Sequence, residues 1–295
     1  MKTATLSTAR SDLSLGDLSE LVKLRLSLLV LMTTLVGFLA GWEGPMNYSL
    51  LAATLIGAAL CACGASALNQ WWERDYDALM KRTSQRPLPG GRMHPGDALM
   101  FGIFFCVTGL AVLGLMADVR AAILGLITIA IYVFVYTPMK RVSSLNTLVG
   151  AIPGALPPLI GWVAARGEYS IEGGLIFAIL WFWQMPHFLA IAWLYREEYS
   201  GAGFVMLPGD DETGFATGRQ AFLYSLCLLM VSLVPALLGF NSAWYFFGVL
   251  GLGIVFCGFA LMFLWQRDQS SARKLFLASI LYLPLALGLL AMTGR

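Results

Sequence analysis

Apolar and polar positions alternate along this chain on a scale far longer than a strand or an amphipathic helix. Nine apolar runs, at about 25–42, 50–70, 97–117, 120–138, 146–165, 173–194, 220–239, 244–265 and 274–292, are separated by shorter polar segments. Each run is roughly 20 residues, the length a helix needs to cross the hydrocarbon core. Lipid-facing backbone has to satisfy its own hydrogen bonds, so the runs predict helices and not open strands. The expected fold class is an all-α integral membrane protein, with nine transmembrane helices around a central cavity. The cavity is suggested by the fourth and fifth runs, which carry Gly and Pro, among them Pro153, Gly154, Pro157 and Pro158. Small residues let helices approach closely, and proline bends them.

The polar segments set the organisation. Residues 1–22 are rich in Ser, Thr, Leu and Asp, lead into Lys23 and Arg25, and show no cleavage-type site. They read as a cytoplasmic N-terminal tail with a short interfacial helix, not a signal peptide. Residues 23–295 then form a single transmembrane domain. Two connections, 71–96 and 195–219, are much longer than the rest, and loops of that length commonly carry function. Each opens on an aromatic and charged helical continuation and passes into Gly/Pro turns, four spans apart, as two related halves would.

Composition agrees: 58% of the 295 residues are hydrophobic and 12% are charged, about half the charge of a soluble domain. A formal charge of +2 excludes a nucleic-acid partner of the usual basic kind. The location of the charge says more. All Lys and Arg except Arg120, Arg166 and Arg295 fall in the N-terminal tail or in the connections after even-numbered spans. The positive-inside rule therefore puts the N-terminus in the cytoplasm and the C-terminus outside. The five cysteines lie inside apolar runs and read as small buried residues, with no disulfide framework.

Candidate chemistry concentrates where the second run ends. At about 100° per residue, Asn69, Glu73 and Asp77 share one helical stripe. An amide and two carboxylates suit a hard cation such as Mg2+, which keeps waters and completes its shell with substrate phosphates. Arg74, Lys81, Arg82 and Arg86 stand close enough to neutralise a diphosphate. The competing account of this cluster is juxtamembrane charge that only sets topology. The second long loop opens Tyr195-Arg-Glu-Glu-Tyr199, where Glu198 is the counterpart of Glu73 and Arg196 adds a cation; Ala202 stands where a copy of Asp77 would fall. Lys140 and Arg141 bring further positive charge after the fourth span. His187, inside the sixth span, precedes Glu198 by about 16 Å and about 20° on a straight helix, with Gln184 near the same stripe. Ionisable groups at membrane depth are functional candidates, so His187 and Gln184 are expected to line a cavity below Glu198.

These residues together resemble the UbiA superfamily of intramembrane prenyltransferases, and within it the haem O synthase branch. The first motif of the superfamily, an Asn followed by carboxylates at four and eight residues, is matched by Asn69, Glu73 and Asp77. The haem branch is matched by Glu73-Arg-Asp-Tyr-Asp77 with Lys81-Arg-Thr83 and Arg86-Pro87, and by Gly154-Ala-Leu-Pro-Pro158 with Gly161-Trp162. Trp183-Gln-Met-Pro-His-Phe188 and Tyr195-Arg-Glu-Glu-Tyr199 with Ala202-Gly203 and Met206-Leu-Pro208 belong to it too. Glu73 and Glu198 stand where aspartate is usual, and Ala202 replaces the last carboxylate of quinone-type members.

The resemblance implies Mg2+-dependent transfer of a farnesyl group from farnesyl diphosphate to a vinyl group of haem B, which is a substrate and not a cofactor. Asn69, Glu73, Asp77 and Glu198 would be metal and catalytic residues. Arg74, Lys81, Arg82, Arg86, Lys140, Arg141, Tyr195, Arg196, Gln184 and His187 would bind substrate, with His187 toward the porphyrin. Haem A synthase or terminal oxidase assembly factors are the implied protein partners. The alternatives are a quinone-pathway aromatic (4-hydroxybenzoate-type) polyprenyltransferase, which Ala202 disfavours, and a transporter, which leaves the acidic loops unexplained.

Overall fold

The computed structural model describes residues 14–293; of the expected tail, residues 1–13 lie outside it, as does Arg295. The described part of the tail forms α1 (Leu15–Leu21), capped by Ser14, whose Oγ accepts from the Asp17 N–H at 3.0 Å. Then come α2 (Leu24–Gly41), α3 (Tyr48–Asp77), α4 (Pro95–Val112) and α5 (Val119–Ala130). The one-turn α6 (Thr137–Met139) precedes α7 (Asn146–Arg166) and α8 (Ile171–Leu194). Two short helices, α9 (Arg196–Gly201) and α10 (Leu207–Asp210), lead to α11 (Phe215–Leu237), α12 (Ala243–Gln266) and α13 (Gln269–Thr293). Among the described residues nine helical stretches are long and apolar enough to cross a membrane, in the places the apolar runs predict.

Local chemistry explains where these helices begin. Asn47 caps α3 through its Oδ1, Asp118 caps α5, and His94 caps α4 just ahead of Pro95, whose missing N–H costs nothing at the first helical position. Asp211 performs the same task for α11: its Oδ2 accepts from the Thr217 N–H at 2.7 Å and from the Thr217 hydroxyl at 2.8 Å. Burial raises the Asp211 carboxyl, but the hydrogen bonds from Thr217, Thr213 and Gly214 outweigh it and hold the group below the usual aspartate range. The stabilisation is therefore present above the unfolded pKa and is lost as pH falls through the lowered one.

Packing places α7 at the centre. It lies against α2, α5 and α8, while α3 pairs with α4, and α11, α12 and α13 close the second half against α8. The approach of α2 and α7 is backbone to backbone. A Cβ at Gly37 would meet the Pro158 carbonyl oxygen, and one at Gly161 would meet the carbonyl oxygen of Thr34. Between α5 and α6 the chain makes a π-helical stretch, Ile131–Tyr136, and another, Leu113–Ala117, closes α4. Such turns re-aim side chains at functional sites. The first of them forms the wall described next.

Candidate active site

The helix α3 runs unbroken for 30 residues, so its polar end is a rigid extension of a membrane span. The extension turns one stripe inward: Asn69, Glu73 and Asp77 are each at most 5% exposed. Asn69 Nδ2 donates to Glu73 Oε2 and to Thr137 Oγ1, both at 3.0 Å. Thr137 in turn donates to the Tyr132 carbonyl at 2.7 Å, within the π-helical turn. Lys140 Nζ donates to both oxygens of Glu73, at 2.9 and 3.1 Å, and Arg86 Nη1 donates to Asp77 Oδ2 at 2.6 Å.

Lys23 completes the group. Gln70 Nε2 on α3 donates to the Glu20 and Leu21 carbonyls at 2.7 and 2.8 Å and so satisfies the end of α1. Arg92 ties the same helix to the first loop through Asp17 at 2.6 Å and Glu20 at 2.7 Å. With α1 held from both sides, the chain turns through Lys23 in the left-handed region (φ 48°, ψ 54°), a conformation a lysine adopts at a cost. That turn brings Lys23 Nζ to 2.6 Å from Asn69 Oδ1 and 3.4 Å from the Tyr132 hydroxyl. The two lysines differ sharply. Burial and then the charges of Arg86 and Lys140 lower Lys23 to about 7, whereas Lys140 has Glu73 as a direct partner and is raised above the ordinary lysine value despite its burial.

The carboxylates and cations of this group cap a cavity of about 530 Å³ that continues between the helices; Asn69 stands behind Glu73 and Lys23, bonded to both and outside the lining. Its polar end holds Lys23, Glu73, Asp77, Arg82, Arg86 and Lys140, and its deeper walls are Val30, Ala58, Ala62, Ala65, Ile129, Ile160 and Phe188. Tyr132 and Tyr136 stack on each other at 5.7 Å along one side, with Lys140 Nζ 4.6 Å from the Tyr136 ring. Gln184 reaches the cavity from α8, donating to the Ala151 and Leu180 carbonyls at 3.1 Å, over Gly154, where a Cβ would collide with its Oε1. A charged head and an apolar body are what this space accommodates.

The residues present fit a magnesium ion brought in with its anion. Among the described residues no three of His, Cys, Asp and Glu gather as a metal cluster. Two carboxylates and one amide oxygen suit an ion that takes the rest of its shell from phosphate and water. The nearby cations balance the carboxylates and leave positive charge over for a diphosphate.

Other expected site residues lie elsewhere. Arg74 folds back onto its own helix, donating to the Trp71 carbonyl at 2.8 Å, and Lys81 is exposed. Arg141 stacks on the Tyr76 ring at 3.8 Å and Arg196 on Trp193 at 4.2 Å. Tyr195 meets the site through Arg82, whose guanidinium lies 5.7 Å from its ring.

Glu198 is not among the cavity residues, which corrects the expectation of a second acidic wall. Its placement was extrapolated along one helix, and the backbone leaves that helix at Tyr195 (φ −115°, ψ 21°) before α9 begins. The α9 side chain that does face the cavity is Tyr199, whose hydroxyl is 3.4 Å from Arg82 Nη2. Ala202 is buried with Met80 and Phe204.

His187 is the second correction. It faces α13: its Nδ1 is 2.7 Å from Ser279 Oγ, its ring stacks on Trp183 at 4.8 Å and lies 5.1 Å from Phe276, and Trp183 Nε1 donates to the Ser279 carbonyl at 2.8 Å. Ser279 Oγ–H is committed to the Phe276 carbonyl, so the imidazole is the donor in the His187–Ser279 bond. The roughly 60° between Gln184 and His187 is enough to put them in different helix interfaces. His187→Ala is therefore expected to cost about 1–2 kcal/mol of stability, the value of a buried hydrogen bond with its packing, and to leave diphosphate affinity unchanged. Thermal melts beside binding titrations check this; unchanged stability with lost diphosphate binding would reverse the assignment. The functional residues that periodicity missed are Lys23, Tyr132, Tyr136 and Thr137. The one signal for them was a basic or polar group at the level where Asn69 begins its motif.

Comparison with known proteins supplies the family and the fold. The sequence model described as the UbiA prenyltransferase family matches residues 30–283. The chain is 44% identical to a protoheme IX farnesyltransferase from Solibacter usitatus, over 93% of this chain and 97% of that one. It is 43% identical to one from Opitutus terrae, covering 96% of each. In three dimensions it is similar to a structure of digeranylgeranylglyceryl phosphate synthase, with TM-score 0.81 and 15% identity over 95% of this chain and 98% of the other. A UbiA homolog from Archaeoglobus fulgidus bound to GPP and Mg2+ aligns at TM-score 0.67 and 16% identity, over 93% and 99% of the two chains. At these identities the structural likenesses carry the fold alone.

Proposed function

This chain belongs to the UbiA prenyltransferase family, and from that premise we propose that it farnesylates haem B to haem O, using farnesyl diphosphate and Mg2+. The observation that carries the reading is the pair of buried carboxylates Glu73 and Asp77, backed by Asn69 and facing Lys23, Arg86 and Lys140 above an apolar chamber. Relatives around 40% identical over nearly the whole chain bear the name of this activity.

Asn69, Glu73 and Asp77 would hold the magnesium. When bound, that ion neutralises charge developing on the departing diphosphate. Lys23, Arg82, Arg86 and Lys140 receive the phosphate oxygens and orient the allylic carbon toward the chamber. The C–O bond breaks with its electron pair leaving on diphosphate. The vinyl π-pair of haem B forms the new C–C bond, water adds to the porphyrin-side cation, and one proton is released. The apolar walls exclude water from the allylic cation until the vinyl group has reacted. Tyr132 and Tyr136 bring two aromatic rings to the same wall, where a cation is stabilised by a π-face.

The distribution of Lys and Arg supports a cytoplasmic mouth for this site, with the two long loops beside it, and the membrane of this reading is the bacterial inner membrane. Product leaves to haem A synthase or oxidase assembly factors. Purified protein incubated with haem B, farnesyl diphosphate and Mg2+ is expected to yield haem heavier by one farnesyl and one water. Unchanged haem beside a prenylated 4-hydroxybenzoate would establish the quinone-pathway alternative instead. Lys140→Gln, which keeps an N–H for the buried Glu73 carboxylate and removes the charge, is expected to raise KM for farnesyl diphosphate about tenfold or more, since a hydrogen bond to a charged group is worth roughly 1.5–3 kcal/mol. Steady-state titration of the diphosphate, with haem B held saturating, measures it.

A further inference from the structure

A second cavity, of about 450 Å³, lies toward the other end of the bundle, its α7 residues centred about 14 Å along that helix from those of the first. The ends of α2, α7, α11 and α13 and the start of α8 enclose it. The reaction makes no use of it. Trp162, half of the Gly161-Trp162 pair, forms part of its wall. The indole is wedged between Gly41 on α2 and Gly173 on α8, where any Cβ would press on the ring, so it cannot turn. Trp162 is 5% exposed, and its Nε1–H has no acceptor among the described residues. A buried donor held in that way calls for a partner from outside the chain.

The charged groups of the cavity narrow what that partner is. Arg166 lies 5.7 Å from the same indole and pairs with Glu43 Oε1 at 2.5 Å. Glu172, in the first turn of α8, forms no ion pair among the described residues. Asn241 spends its Nδ2 on the Leu290 carbonyl at 3.0 Å and Thr293 Oγ1 at 3.2 Å, which leaves its Oδ1 as an acceptor. The cavity thus offers N–H donors together with an unpaired carboxylate and an amide oxygen. A purely anionic ligand would meet two glutamates against one arginine. A quaternary ammonium has no N–H to give Glu172 or Asn241.

We propose that this cavity binds the phosphoethanolamine headgroup of a bilayer lipid. A phosphate oxygen accepts from Trp162 Nε1–H and Arg166, the ammonium donates to Glu172 and Asn241 Oδ1, and the acyl chains run out past Leu39 and Leu175. The site belongs to the membrane face opposite the carboxylate wall and holds whether or not the substrates proposed above are correct.

The test uses the full chain, purified and stripped of lipid in detergent. Dioctanoyl phosphatidylethanolamine, phosphatidylcholine and phosphatidylglycerol are added separately and read by native mass spectrometry and thermal shift. The ethanolamine lipid is expected to bind at least about tenfold more tightly than the other two, and Trp162→Phe, which keeps the ring and removes the donor, to weaken it about tenfold. Glu172→Gln, on the cavity rim, is expected to do the same and serves alone if the Trp162 variant melts early without lipid. Equal retention of all three lipids, or wild-type affinity in both variants, overturns the proposal. Phosphoethanolamine lacking acyl chains serves as a further probe, and binding as tight as the lipid's would overturn the lipid assignment in favour of a soluble ligand.

Discussion

Replacing Glu73 by Gln is expected to lower turnover by about 10²–10³-fold, the scale at which loss of an electrostatic group at a developing charge is felt, while the protein still folds and extracts normally. The carboxylate accepts from Asn69 and from Lys140 through both oxygens, and it faces the cavity in which the leaving group has to sit. Glutamine keeps the shape and one acceptor oxygen for Lys140, so the buried ammonium is not stranded. Alanine would strand it, and breaking a buried pair from one side costs about 3–5 kcal/mol, which would confuse lost chemistry with lost fold. Asp77→Asn is the parallel case with Arg86, whose Nη1 lies 2.6 Å from Oδ2. Single-turnover formation of farnesylated haem, beside a melting curve, separates the two effects. Near-normal rates in both variants would remove the carboxylate wall from the mechanism.

The second large effect is expected far from the carboxylates. Gly161→Leu should prevent α2 from closing on α7 and cost more than about 3 kcal/mol, beyond the usual range for an overpacked core, because the obstacle is backbone. A side chain at 161 runs into the Thr34 carbonyl, and one at 37 into that of Pro158, neither of which has a rotamer to move into. The consequence reaches the site through geometry. Helix α2 follows directly on Lys23, and α7 carries Gly150, Pro153 and Gly154 along the cavity. Loss of folded protein on size-exclusion and loss of product formation should therefore appear together. Gly251→Ala is the control: a Cβ there meets nothing within 4 Å, and the melt should barely change. A Gly161→Leu protein that melts like wild type would mean the helices can slide apart without penalty.

The membrane class, the nine spans and the stripe of Asn69, Glu73 and Asp77 were legible in the sequence because each depends on spacing along one helix. A run of about 20 apolar residues has one stable form in hydrocarbon, and positions four apart on a continuing helix share a face whatever surrounds them. Arg86 and Lys140 were legible for a related reason: each lies within a short turn of a span end at the level of that stripe. Glu198 and His187 were misplaced because the same rule was carried across a break at Tyr195 and across about 60° of helix surface.

By itself the sequence determined how many times the chain crosses the bilayer and which three oxygen-bearing side chains stand together on one helix, since both follow from local periodicity. Only the tertiary structure sorted the candidate cations and added Lys23 to them. Lys23 arrives through a left-handed turn held by Arg92 and Gln70, and Thr137 and the paired tyrosines arrive through a π-helical turn. Those directions come from contacts between segments far apart in the chain, and no repeat of hydrophobic and polar positions records them.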